Sequence, residues 1–454
     1  MIGVSCKTGA VNTQWSSRLD QKGPIRWKQS PPSVWPNQDF GRESSKMRVL
    51  FVSNWFPPII SGSSYYTSSL AQSLAARGHE VVVVTFDWGP HYAPPSNFPF
   101  SIYRLPIIQM PRLPLFYNMR FMGFAFTIGN IRRLKLLLAR HRPHIVHHVN
   151  HIFDTTFLST CAARSAGIPV VGSITTPIQH QSPLRYRVMA LFDRLSIGWF
   201  GVRMWDGVVC LDWEVFEYVR KQYGERARQR SVVIPFGVPV ESVSLCQGRS
   251  PSRSGRPQIL MVGHIHPFRN PTQLVRAMPM ILKATPEARL VLAGRVDLLE
   301  PVEVARELGL TTDQIQFLGQ TSHDEVLRLM KTSHVFISWV TGPYRGLGTA
   351  PMEAMLCETP VVNDLPENLF GERKLRNGEN IVLVDSHNPR SIAEAIIGLL
   401  QDEAVRRRIG AAGRRFVLEH LNWNTIAGEM ERFYQRVLVG RRVEIKSAGE
   451  LALL

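Results

Sequence analysis

The chain has 454 residues, with 53 Lys and Arg against 36 Asp and Glu, for a formal net charge of +17. This length predicts two domains, each able to bury its own core, and a hydrophobic content of 44% is that of an ordinary globular chain rather than a disordered or fibrous one. Residues 121–131, the most membrane-like run, lie between Arg120 and Arg132 and are too few to span a bilayer. The five cysteines (Cys6, Cys161, Cys210, Cys246, Cys357) are odd in number and lack metal-ligand spacing. They argue for a reducing, cytoplasmic setting and against a disulfide framework. No apolar leader marks a signal peptide. The positive charge is an electrostatic footprint of the kind nucleic acids attract, but it is not gathered in a recognised nucleic-acid motif, so no nucleic-acid partner is expected.

Residues 1–46 are polar and lack a sustained apolar period, which predicts a disordered tail or an overlong start before Met47. Residues 47–52 read as a buried strand, followed by Asn54-Trp55-Phe56-Pro57-Pro58 and the small loop Ser61-Gly62-Ser63. A helix through Leu70, Ala71 and Leu74 stops at Arg77-Gly78-His79, and Val81 to Thr85 forms the next strand. This is a βαβ pattern. Two stretches then mix basic and aromatic residues. The first holds Arg112, Arg120, Arg132, Arg133, Lys135, Arg140 and Arg142 among Leu113, Phe116, Tyr117, Phe121, Phe124 and Phe126. The second holds Arg185, Arg187, Arg194, Trp199, Phe200, Arg203 and Trp205. Such helices can lie in an anionic lipid interface; the alternative is core helices with solvated arginines. Between the stretches, residues 143–151 (PHIVHHVNH) read as a strand and a loop.

Residues 241–257 are dominated by Ser, Arg, Gly and Pro and read as a linker. Ile259 to Gly263 is a further strand, and His264-Ile265-His266-Pro267-Phe268-Arg269-Asn270-Pro271 leads into a helix through Leu274, Val275 and Met278. Asn270 as N-cap and Pro271 at the first helical position would hold Arg269 at the positive end of that helix. Farther on, Gly346-Leu347-Gly348-Thr349 runs into a helix carrying Glu353, then the strand Pro360-Val361-Val362. The turn offers backbone N–H groups and a helix dipole to a diphosphate, and a carboxylate one turn later can accept bonds from ribose hydroxyls.

These segments, in this order, resemble the GT-B glycosyltransferases of the large retaining family 4. The opening βαβ, the Val232-to-Val238 link with its Ile-Pro-x-Gly-Val form, the strand ending at Gly263 and the 346–362 segment each match a family motif. The resemblance implies an α/β, GT-B fold of two doubly wound Rossmann-like domains facing across a cleft. The expected organisation is a tail (1–46), an acceptor-side domain (47–240), a linker (241–257), a nucleotide-sugar domain (258–420), a helix packing back on the first domain (421–440) and a second tail (441–454). It implies transfer of a sugar, with retention, from a nucleoside diphosphate donor to a saccharide or lipid-linked acceptor, with no metal and no other cofactor. An anionic membrane surface, on the inner face of the membrane, is a further expected partner. Donor binding falls to Gly62, Gly263, His264, Arg269, Gly348, Thr349 and Glu353, and catalysis to His148 and Arg345, with His151 a second candidate for a sugar hydroxyl. Several positions depart from the family pattern. Arg345 stands where relatives have the first of two glutamates, and His264, Arg269 and Asn270 replace an arginine, a lysine and a glycine. Thr175-Thr176 stand where relatives place a histidine. The same departures suit an alternative, a nucleotide-sugar-binding protein with altered or lost transfer.

Overall fold

The computed structural model describes residues 46–110, 121–175, 177–178, 182–240, 255–269, 271–341 and 345–451, with side chains as far as residue 440. The first half alternates strand and helix in the order β1 (Arg48–Ser53), α1 (Gly62–Ala76), β2 (Glu80–Asp87), β3 (Ser101–Pro106), β4 (Ile108–Gln109), β5 (Gly123–Phe124), α2 (Ile128–His141), β6 (Ile145–Val149), α3 (Thr155–Ser165), β7 (Val170–Ile174), α4 (Pro183–Leu195), α5 (Ile197–Phe200), β8 (Gly207–Cys210), α6 (Trp213–Tyr223), α7 (Glu225–Gln229) and β9 (Ser231–Val233). Seven of these strands make one sheet in the order β3-β2-β1-β6-β7-β8-β9, every pair parallel. Strands such as RVLFVS and EVVVVTFD are apolar on both faces because helices cover both sides of a parallel sheet. Helix α1 begins where the Ser61 hydroxyl accepts from the Ser64 amide (3.0 Å), and ends before Gly78, whose φ of 90° a side chain would resist.

The second half repeats the plan with β10 (Gln258–Val262), α8 (Thr272–Ala284), β11 (Arg289–Ala293), α9 (Glu300–Glu307), β12 (Ile315–Gly319), α10 (His323–Thr332), β13 (Val335–Ile337), α11 (Thr349–Leu356), β14 (Val361–Asn363), β15 (Val382–Leu383), α12 (Pro389–Gln401) and α13 (Glu403–His420). Its sheet runs β12-β11-β10-β13-β14-β15, again all parallel. In both sheets the chain first builds outward on one side and then returns to the other, at β1/β6 and at β10/β13. Those are the switch points at whose carboxyl ends ligands bind in open α/β sheets.

The last helix, α14 (Trp423–Leu451), crosses back to the first domain. Trp423, Ile426, Met430, Phe433 and Tyr434 join the core formed by β1, β2 and α1. Polar contacts fix its register: Arg77 donates to both Glu431 oxygens (2.9 and 2.7 Å), and the Tyr434 hydroxyl meets His147 Nδ1 at 2.5 Å. Helix α8 begins at Thr272, with Pro271 as its cap residue, one position after the start that the Asn270-Pro271 pair suggests. Asn270 itself lies outside the described residues.

Candidate functional site

At the β10/β13 switch point the backbone is made of glycine for steric reasons. Gly263 follows β10 with φ 132° and donates to the Ala293 carbonyl at 2.9 Å; Gly294 follows β11 with φ 150°. A Cβ on Gly294 would overlap the Gly263 carbonyl, so the two turns approach as only glycines can. Arg269 closes a short turn, Pro267–Arg269, and its guanidinium folds back over Gly263, with Nη1 2.6 Å from where a Cβ there would stand. Thr341, beyond β13, pins this turn with its amide on Phe268 O (2.7 Å) and its hydroxyl on Pro267 O (2.9 Å). Burial depresses the Arg269 pKa below the ordinary arginine range, and the guanidinium has no ion-pair partner among the described residues. A desolvated, unpaired cation is costly to hold and favours an anion beside it.

The 346–353 turn stands after the neighbouring strand. Leu347 is buried and anchors it, Gly348 takes φ 72°, and α11 starts at Thr349 with no side chain capping its first amides. No acidic residue occupies the first turn, so the positive helix end is available to an anion. Glu353 lies one turn in. Burial raises its pKa, and His323 Nε2 stands 3.7 Å away. Its carboxylate accepts no hydrogen bond from any described residue. Across from it is Tyr65 of α1, whose phenol is pushed up to about 12, first by burial, with the Glu353 charge adding to it. Glu353 therefore faces the first domain.

Arg345, expected to act in catalysis, is ion-paired. Its Nη1 is 2.6 Å from Asp364 Oδ1, Asp364 Oδ2 accepts from the Ser386 hydroxyl (2.7 Å), and the Arg345 amide donates to the Glu214 carboxylate of α6. The ion pair neutralises it. The same loop rests against the start of α6, where Trp213 donates to Leu369 O (2.7 Å) and Asp212 Oδ2 lies 3.6 Å from a Cβ position on Gly346. Burial raises the Asp212 pKa to about 7, while the carboxylate caps α6 through the Val215 amide at 2.8 Å. Asp364, Asp385 and His387 bring ligand atoms within 4.8 Å of one another, but Asp364 already has Arg345 as its counter-charge.

In the first domain the structure corrects the catalytic role expected of His148. It is fully buried, its Nε2 meeting Thr156 Oγ1 (2.9 Å) and Asn150 O (3.0 Å) and its Nδ1 meeting Ser159 Oγ (3.1 Å). No ring atom is left for a sugar. His151 is likewise fully buried, 3.9 Å from Asp193 Oδ1. Gly62 is the first residue of α1 and has open space where a side chain would be, while His264 is exposed beside the Arg269 turn. Residues not singled out by sequence reasoning also gather here. Register pairs Ser53 with Val149, so Asn54 and Asn150 follow adjacent strand ends; both amide atoms of Asn54 and the Oδ1 of Asn150 are buried without a hydrogen-bond partner among the described residues. Thr176 lies outside the described residues, whereas Thr175 follows β7 and is half-buried.

Comparison with known proteins identifies the family and the fold. The family described as Glycosyltransferase Family 4 matches residues 60–242, and that described as Glycosyl transferases group 1 matches residues 247–416. The chain belongs to the family 4 type of GT-B glycosyltransferases. A phosphatidyl-myo-inositol mannosyltransferase of Mycobacterium leprae is 25% identical over 408 residues, covering 88% of this chain and 100% of that one. A glycogen synthase of Mycobacterium tuberculosis is also 25% identical, over 414 residues, covering 87% and 96%. Among solved structures, sucrose-phosphate synthase of Thermosynechococcus elongatus superposes with a TM-score of 0.61 at 20% identity, covering 87% of this chain and 100% of that one. HepE of Anabaena, in complex with UDP and glucose, gives 0.60 at 16%, covering 85% and 98%. In this GT-B glycosyltransferase, then, the Arg269 turn, the α11 start and Glu353 belong to the second domain, and Tyr65 and Gly62 to the first.

Proposed function

We propose that this glycosyltransferase moves a sugar from a nucleoside diphosphate donor to a saccharide or lipid-linked acceptor with retention of configuration. One observation carries the donor assignment. Arg269, a half-buried cation without a counter-ion among the described residues, and Glu353, a largely buried carboxylate without a hydrogen-bond donor among them, accompany an uncapped helix start. The cation and the Gly348-Thr349 amides suit a diphosphate, and Glu353 suits the ribose hydroxyls. Charge that develops on the departing diphosphate is met by groups already in place, so catalysis is mainly positioning and electrostatics. A diphosphate oxygen takes the acceptor hydroxyl proton on the face from which it leaves, which preserves configuration without a protein nucleophile. Arg269 and the helix end supply the opposing positive charge, so the reading assigns no role to a metal. The amide of Asn54 and the Oδ1 of Asn150, unpaired among the described residues, suit sugar hydroxyls on the acceptor side. The relatives' printed names, which span a phosphatidylinositol derivative and a polysaccharide, support the two acceptor classes without choosing between them.

The Arg345–Asp364 pair favours a second reading, donor binding with altered or lost transfer, because it neutralises the position where relatives carry a glutamate. Glu353→Gln tests the first part of both. Donor affinity should weaken by about 1.5–3 kcal/mol, the worth of a hydrogen bond to a charged group, with an unchanged melting curve. Parent-like affinity in the folded variant would remove Glu353 from the ribose site. Donor binding with neither transfer nor donor hydrolysis across a panel of acceptors would select the second reading.

A further inference from the structure

Helix α4 is built inside out. At about 100° per residue, Leu184, Val188, Leu191, Phe192 and Leu195 fall on one stripe, the pattern that ordinarily faces a core. Here they are 57% to 72% exposed, and the one buried residue of the helix is Asp193, on the opposite side. The inversion is held by polar bonds. Asp193 Oδ2 accepts from the Tyr223 hydroxyl (2.7 Å), the Tyr218 hydroxyl (3.2 Å) and Gln222 Nε2 (2.9 Å), all on α6. Trp199 and Phe200, in the next short helix, extend the exposed apolar surface, and the Arg203 guanidinium stacks 4.3 Å over the Trp199 ring.

We propose that α4 and α5 form a docking face for an anionic lipid bilayer. The charge pattern selects this occupant. Arg187 and Arg194 flank the apolar stripe on one side and Arg185 on the other, all exposed, and the segment from residue 182 to 205 contains no acidic residue except the buried Asp193. A second copy of the same face would set arginine against arginine. Lipid headgroups of negative charge complement the flanks while the stripe enters the acyl boundary, as an interfacial amphipathic helix requires. No helix among the described residues is long and apolar enough to cross a membrane, so the contact is one of lying on the surface. Helix α3 packs against both α2 and α5, and α2 exposes Arg132, Arg133, Lys135 and Arg140 beside Leu136, a neighbouring source of the same charge. The proposal stands independently of the donor assignment.

The test is co-sedimentation of the full chain with phosphatidylglycerol–phosphatidylcholine vesicles and with pure phosphatidylcholine. The parent should partition strongly into the anionic vesicles, weakly into the neutral ones, and less as salt rises. Leu191→Glu with Phe192→Glu should lose at least about tenfold in partitioning. Arg187→Glu with Arg194→Glu should lose roughly fivefold or more per arginine on anionic vesicles alone. Parent-like melting curves for either pair keep the comparison valid, and the arginine pair, exposed at both positions, covers the case in which the apolar pair fails to fold. Absence of parent binding to anionic vesicles, or binding that neither pair alters, would overturn the proposal. So would a dimer, seen without vesicles, that the apolar pair dissociates, since it would make a second copy the occupant.

Discussion

Arg269→Ala is expected to weaken nucleoside diphosphate binding by about 1.5–3 kcal/mol, roughly 10- to 150-fold, while leaving nucleoside affinity near that of the parent. The surroundings of the guanidinium set this effect. It is folded over Gly263, its pKa is lowered by burial, and no carboxylate among the described residues compensates it. A bound diphosphate would supply the missing charge through charge-assisted hydrogen bonds, which the alanine cannot make. The base and ribose do not depend on it. Arg269→Lys should fall between, because the ammonium keeps the charge but loses the planar fork. Titration calorimetry with UDP, GDP and ADP beside their nucleosides reads the difference. Equal losses for diphosphate and nucleoside would place Arg269 outside the phosphate site.

A second large effect is expected from acid. His147, His148 and His151 are completely buried, and burial lowers each pKa to about 3, against about 6.5 in an unfolded chain. The folded state thus holds them neutral while the unfolded state takes up protons first as pH falls. Their contribution to stability is complete above about pH 6.5 and is lost progressively toward pH 3. A full shift of this size is worth at most about 5 kcal/mol per group, so three together rival the whole stability of a typical domain, about 5–15 kcal/mol. Asp212, with its pKa raised to about 7, works the other way between about pH 4 and 7, and Asp154, Asp193, Glu214 and Glu353, also raised by burial, act in the same sense as Asp212 and offset part of the histidine effect. The melting temperature should therefore drop steeply as pH is lowered from 7 to 5. His151→Asn, which removes a ring without a hydrogen bond among the described residues, should flatten that slope by about one proton. A melting temperature independent of pH over this window would contradict the burial of these rings in the neutral form.

Much of the donor side was legible because its signals are local. The run into Gly263 is one short segment, and the Gly348-Thr349 helix start with Glu353 one turn later is another; within each, steric demand or helix geometry ties neighbouring residues together. The alternation of strand and helix in both halves is equally local. What could not be read was pairing across long sequence distances. Arg345 looks like a free cation in sequence, and only the fold brings Asp364 to it and Glu214 to its amide. His148 reads as a strand-end histidine facing a ligand, yet helix α3 supplies the Thr156 and Ser159 hydroxyls that seal it. Gly294 carries no motif; its need for glycine comes from the Gly263 carbonyl on the next strand. The polarity of α4 is the sharpest case, since its apolar stripe predicts a core-facing helix and the Asp193 contacts with α6 turn it outward.

The central claim is that a nucleoside diphosphate sugar is seated by Arg269, the α11 amides and Glu353 and gives up its sugar there. The most direct measurement is to incubate the folded chain with UDP-, GDP- and ADP-sugars and saccharide or lipid-linked acceptors, and to follow diphosphate release together with the anomeric configuration of the product by NMR. The account predicts that one donor is turned over with retention, and that turnover falls at least about tenfold in both Arg269→Ala and Glu353→Gln. Turnover with inversion, or turnover that neither substitution changes, would contradict it.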